Sequence, residues 1–114
     1  MRGCCLRFYI HENHRHNGRL AYEWLLEKGA EFGCANGNAF RSIASFRIDS
    51  DLHCEDLMDS IMDMTIVVEL LLEDYKAEKL VAFVRQSGLS IFISRTATDF
   101  EVISSERNEE FSYR

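Results

Sequence analysis

Ile66-Val67-Val68-Glu69-Leu70-Leu71-Leu72 is apolar at six of its seven positions. A run this short, following an acidic segment and leading into Glu73-Asp74, reads as a central strand covered on both faces. Glu69 is the one residue that such a setting leaves unexplained. Downstream, Ala77, Leu80, Val81 and Val84 fall at i, i+3, i+4 and i+7, so a helix begins near Asp74 or Tyr75 and stops at Gly88. Ile91, Phe92 and Ile93 open a last strand that extends through Phe100, Val102 and Ile103. The residues 104–114 form a polar tail.

Upstream, Leu6, Phe8 and Ile10 alternate with Arg7, Tyr9 and His11, the period of a half-buried strand. A polar stretch separates it from a helix over 19–32, whose stripe is Leu20, Ala21, Trp24, Leu25 and Leu26. Asn17 is its expected N-cap and Gly33 its expected stop. A second strand is expected over 38–46, with Phe40, Ala44 and Phe46 on one face and Arg41, Ile43 and Ser45 on the other. The order predicts an α+β chain of the ferredoxin-like βαββαβ class. It has a four-stranded antiparallel sheet with two helices on one face, in a single domain over 1–103. Ile43 and the doubly apolar third strand predict a homo-oligomer, in which another copy covers the remaining face.

Composition bounds the rest. The chain has 114 residues, 46% apolar, with 13 basic against 19 acidic side chains and a net charge of −6. The scattered Arg7, Arg15, Arg19, Arg41 and Arg47, without interleaved aromatics, suit a small anion and exclude nucleic acid as the expected partner. No run reaches the ~20 apolar residues of a transmembrane segment, and residues 1–6 carry no signal-peptide pattern. The four cysteines, Cys4, Cys5, Cys34 and Cys54, contain no Cys-x-x-Cys pair, so reduced thiols and a cytoplasmic protein are expected. Proline is absent, whereas average usage of about 5% would give roughly six.

Two segments hold candidate chemistry. In His11-Glu12-Asn13-His14-Arg15-His16, Arg15 and a protonated histidine precede Gly18 and a helix N-terminus, an arrangement that cradles phosphate or carboxylate. The alternative is a metal site on His11, His14 and His16, with His53 as a further candidate, since imidazoles ligate zinc and copper. The second segment, 47–63, carries Asp49, Asp51, Glu55, Asp56, Asp59 and Asp63. It fails the test for a calcium loop, having Cys54 where glycine is required and Ser60 where glutamate is. It reads instead as a surface loop that carries interactions. No pattern nominates a nucleophile or a catalytic pair, so the chain is read as non-enzymatic.

Further landmarks run in order: Glu12 at the end of a strand, Gly18 six residues later, Arg19, Tyr22 and Glu23 at a helix start, then Gly33, Arg41 and Phe46. In these the chain resembles the PII-like family catalogued as domain of unknown function 190. Ile66-Val67-Val68-Glu69 is similar to that family's Leu-Pro-Val-Val-[Val/Ile]-Glu strand, which accounts for Glu69. The resemblance spans most of residues 5–103. It implies a homotrimer with an adenine nucleotide (AMP, ADP or ATP) bound in clefts between subunits, near Glu12, Arg15, His16, Gly18 and Arg41. It further implies a regulatory protein whose loop, at 47–63 here, relays the ligand state to a protein partner. This chain departs from the family at Leu20 and Thr65, where the family carries proline, and at Ser42, Ser45 and Arg47, where it carries glycine.

Overall fold

The computed structural model describes residues 1–46 and 64–105. The elements are β1 (Arg2–His11), β2 (Arg15–His16), β3 (Arg19–Leu20), α1 (Ala21–Glu31), β4 (Asn36–Arg41), β5 (Thr65–Glu73), α2 (Asp74–Gln86) and β6 (Phe92–Asp99). The main sheet runs β4-β5-β1-β6 with every pair antiparallel, and β2-β3 is a separate hairpin. Strand, helix, strand, strand, helix, strand is therefore the order of the main elements, and the ferredoxin-like expectation holds.

The core follows from the pleat. Side chains alternate across a strand, so Cys4, Leu6, Phe8 and Ile10 of β1 share one face with Ile66, Val68, Leu70 and Leu72 of β5. Ala21, Trp24 and Leu25 of α1 and Ala77, Leu80 and Val84 of α2 close over that face. β5 passes into α2 without a connecting loop, Glu73 being the helix N-cap. Gly33 and Gly88 follow the two helices with φ of 82° and 86°, as expected of residues that stop a helix. No helix among the described residues is long and apolar enough to cross a membrane.

Three local expectations are corrected. The last strand is Phe92–Asp99 and does not extend through Phe100, Val102 and Ile103, the last of these 87% exposed. The second strand is Asn36–Arg41 rather than 38–46, and Ile43, 96% exposed, lies beyond its end. The first helix starts at Ala21 with Leu20 as its cap residue and no side-chain cap. Asn17 instead forms a turn with Gly18, at φ of 54° and 78°. Positive φ at both central residues is what a two-residue type I′ hairpin turn demands, and Asn-Gly satisfies it at least cost. Within one chain the apolar residues of β5 are buried on its helix face, while Val67, Glu69 and Leu71 are part-buried on the other, the face that a second copy is expected to cover.

That open face is layered by the strand register. Phe40, Val67, Tyr9 and Phe92 form one row across the four strands. Phe40 is 52% and Phe92 56% exposed, and the Tyr9 and Phe92 rings lie 5.4 Å apart. The adjacent row is Asn38, Glu69, Arg7 and Ser94. Within it Arg7 Nε donates to Glu69 Oε2 at 2.9 Å, which is why a strand otherwise apolar carries a glutamate.

Phe8, fully buried between sheet and helices, sets a test of this core. Phe8→Ala should cost about 3–5 kcal/mol by urea denaturation, since the helices cannot collapse into the space left.

Candidate functional site

The regular pleat of β1 ends at His11, and the next ten residues are held by their own backbone. His14 N donates to His11 O at 3.1 Å, and Ala21 N donates to His14 O at 2.8 Å. Between these two bonds the hairpin pairs Arg15 with Leu20 and His16 with Arg19. It lies against α1 through two side chains. The His16 ring meets Trp24 edge-on at 4.5 Å between centroids, and Arg19 Nη1 donates to Glu27 Oε1 at 2.7 Å. Arg15 stays exposed, its Nη1 donating to Gly18 O at 3.3 Å.

A second group sits at the end of the main sheet. Arg41, last residue of β4, donates from Nε to Glu12 Oε2 at 2.8 Å and from Nη2 to Glu12 Oε1 at 3.3 Å. The pair joins the ends of β1 and β4, and Glu12 N donates to Met64 O at 3.0 Å. The guanidinium hydrogen bonds and charge hold the Glu12 carboxyl below its ordinary range, and the same contact raises Arg41. The Arg41 side chain is 60% exposed and that of Glu12 25%, so the guanidinium is presented to solvent from a carboxylate set behind it.

The five nominated residues thus fall into two groups, Glu12 with Arg41 and Arg15 with Gly18, while His16 is turned onto the Trp24 ring. His16 Nε2 and His11 Nδ1 are buried and have no hydrogen-bond partner among the described residues. Among the described residues no three His, Cys, Asp or Glu side chains gather as a metal-ligand set, so His11, His14 and His16 do not converge. His53, Arg47 and the acidic segment 47–63 lie outside the described residues.

Sequence reasoning missed a third group. Ser42 N donates to Thr65 O at 2.9 Å, continuing the β4–β5 ladder by one step. Thr65 N, however, donates to Ser42 Oγ at 3.0 Å, where a regular ladder would offer the Ser42 carbonyl. Ser45 Oγ and Thr65 Oγ1 are 2.7 Å apart. Three hydroxyls therefore stitch the chain before residue 47 to the chain after residue 63. The available signal was composition, two serines and a threonine flanking one segment, but nothing in the sequence says that they meet.

Cys4, Cys5 and Cys34 are free thiols. Burial raises all three above the ordinary thiol value, Cys34 to about 11 with Lys76 opposing the shift. They keep their protons at neutral pH and serve as small packing groups.

Comparison with known proteins places these residues in a wider set. The family DUF190, described as Uncharacterized ACR, matches over residues 3–97. A UPF0166 protein of Aquifex aeolicus (strain VF5) is 26% identical over 98 residues, which cover 86% of this chain and 90% of that protein.

Three measurements test the geometry. Ser42→Ala removes the acceptor of Thr65 N and should cost about 1 kcal/mol in chemical denaturation. Because Cys34 ionises only near pH 11 when folded, iodoacetamide at pH 8.5 should label it far more slowly in native than in denatured protein, as read by peptide mass mapping. Ionisation favours the unfolded chain as pH rises from the unperturbed thiol range toward 11, so Cys34→Ala should lessen the stability lost across that window.

Proposed function

The chain belongs to DUF190, a PII-like family, and from that membership we propose that it is a non-enzymatic regulatory protein. In this reading it is a cytoplasmic homotrimer that binds a small anionic ligand, an adenine nucleotide (AMP, ADP or ATP), at clefts between subunits. The observation that carries it is the guanidinium of Arg41, held by Glu12 at the sheet end and still largely exposed. Its planar fork matches a phosphate, with which it makes two parallel charge-assisted hydrogen bonds. Arg15, exposed on the neighbouring hairpin and bonded among the described residues to the carbonyl of Gly18, supplies a second charge. His16 supports the site by seating the hairpin on α1.

The trimer is supported by the open sheet face. Contiguous exposed apolar surface marks an interaction site, and the row Phe40, Val67, Tyr9 and Phe92 supplies it. Its neighbour, Arg7 with Glu69, is already paired within the chain, so covering it would bury no unpartnered charge. The residues 47–63, outside the described part of the chain, are read as the segment that relays the ligand state to a regulated protein partner. Such relay requires that the ligand bind two states of the protein with different affinity.

Thermal unfolding with and without nucleotide tests this reading. A nucleotide at one hundred times its Kd should add about 2.7 kcal/mol, and Arg41→Ala should weaken binding by about 1.5–3 kcal/mol, the range of a hydrogen bond to a charged group. An unchanged Tm with AMP, ADP and ATP at millimolar concentration overturns the ligand. Light scattering should return a trimer that Phe92→Lys dissociates, and a wild-type monomer overturns the cleft.

A further inference from the structure

A carboxylate is a poor neighbour for a bound anion, yet the exposed guanidinium at the sheet end is doubly hydrogen-bonded to one. Glu12 takes both Nε and Nη2 of Arg41, at 2.8 and 3.3 Å, the edge through which a guanidinium grips a phosphate. We infer that Glu12 is an internal competitor for Arg41: an anion binds there by displacing the carboxylate, and Glu12 thereby sets how much anion is needed. This rests on the anion-binding reading above and assigns Glu12 a role opposite to that of a ligand contact.

Three observations favour exchange over shared binding. Both backbones are pinned independently of the ion pair. Arg41 pairs with Ile66 in the ladder, with Ser42 N bonded to Thr65 O beyond it, and Glu12 N is bonded to Met64 O. Opening the pair is therefore a side-chain rotation that leaves the sheet intact. Next, the pair faces solvent, with Arg41 60% exposed. Exposed ion pairs of this kind shift an equilibrium by a factor of only about two to five. A phosphate group, with more charge and three acceptor oxygens, overcomes such a competitor, whereas a monovalent carboxylate ligand gains little by replacing another carboxylate. Finally, a glutamate is ionised at neutral pH and the Arg41 contact holds it lower still, so the competitor is present whenever the site is empty.

Titration calorimetry of the full chain with ADP and with inorganic pyrophosphate tests the assignment. Glu12→Gln keeps a hydrogen-bonding side chain but removes the competing charge. It should bind both probes about two- to fivefold more tightly than wild type. Glu12→Asp, whose shorter arm draws the carboxylate back from Arg41, should move in the same direction, and circular dichroism melts check that each variant is folded. Unchanged or weaker binding of both probes by folded Glu12→Gln overturns the inference while leaving the anion reading in place. Loss of ADP affinity with pyrophosphate unaffected also overturns it, because Glu12 then touches the nucleoside. Binding by Glu12→Gln where wild type shows none supports the inference in its strongest form. No binding of either probe by wild type or variants overturns both the inference and the reading beneath it.

Discussion

The register of β1 is the constraint on which the rest of the molecule depends. It sets Arg7 opposite Glu69 on one side and Ser94 on the other. The resulting ion pair is part-exposed and adds little stability by itself. Its force lies in what it forbids. A slip of one residue would turn Arg7 into the layer shared with Trp24 and Leu80, without a carboxylate, and would turn Phe8 out. The same register determines where β1 runs out, and Glu12 is bonded to Met64 one step past the His11–Thr65 pair. The Glu12–Arg41 contact is thus a product of strand alignment as much as of the two side chains.

The parts of the fold that periodicity governs are legible in the sequence. Leu6, Phe8 and Ile10 announce a strand, Ala77, Leu80 and Val84 a helix face, and Gly33 and Gly88 their terminators, because burial acts on every second or every third and fourth residue. The hairpin escapes such a reading because Asn17 suits two structures, an N-cap and a type I′ turn. The Gly18 beside it, needing positive φ, decides for the turn. The second strand looks longer in sequence than it is, because alternation continues through Ala44 and Phe46 after the ladder has been interrupted at Ser42. Of the candidate site, residue types are readable and contacts are not. Glu12 and Arg41 lie twenty-nine positions apart, and only the sheet brings them together. The aromatic packing of His16 on Trp24 leaves no trace in spacing.

Three of the five departures from the resembling family share an explanation. Where that family carries glycine, glycine and proline, this chain has Ser42, Ser45 and Thr65, and both serines bond to Thr65. Proline at position 65 would lack the N–H that Ser42 Oγ receives, and glycine at 42 and 45 would lack both hydroxyls. Each change alone removes a feature of the pattern. Together they replace it with a stitch of side-chain and backbone hydrogen bonds. The same substitution of serine for glycine gives up backbone freedom at positions 42 and 45.

That stitch has a consequence for how the chain can change over generations. It fastens the residues before 47 to those after 63, so the distance that the intervening seventeen residues must bridge is set by the sheet and not by their own sequence. Lengthening such a bridge is inexpensive, each doubling costing only about 0.6 kcal/mol in closure entropy. By that closure term, a change in the number of residues between 47 and 63 costs the domain little. The stitch is in effect a graft point, two anchored ends between which a segment of another length can be joined.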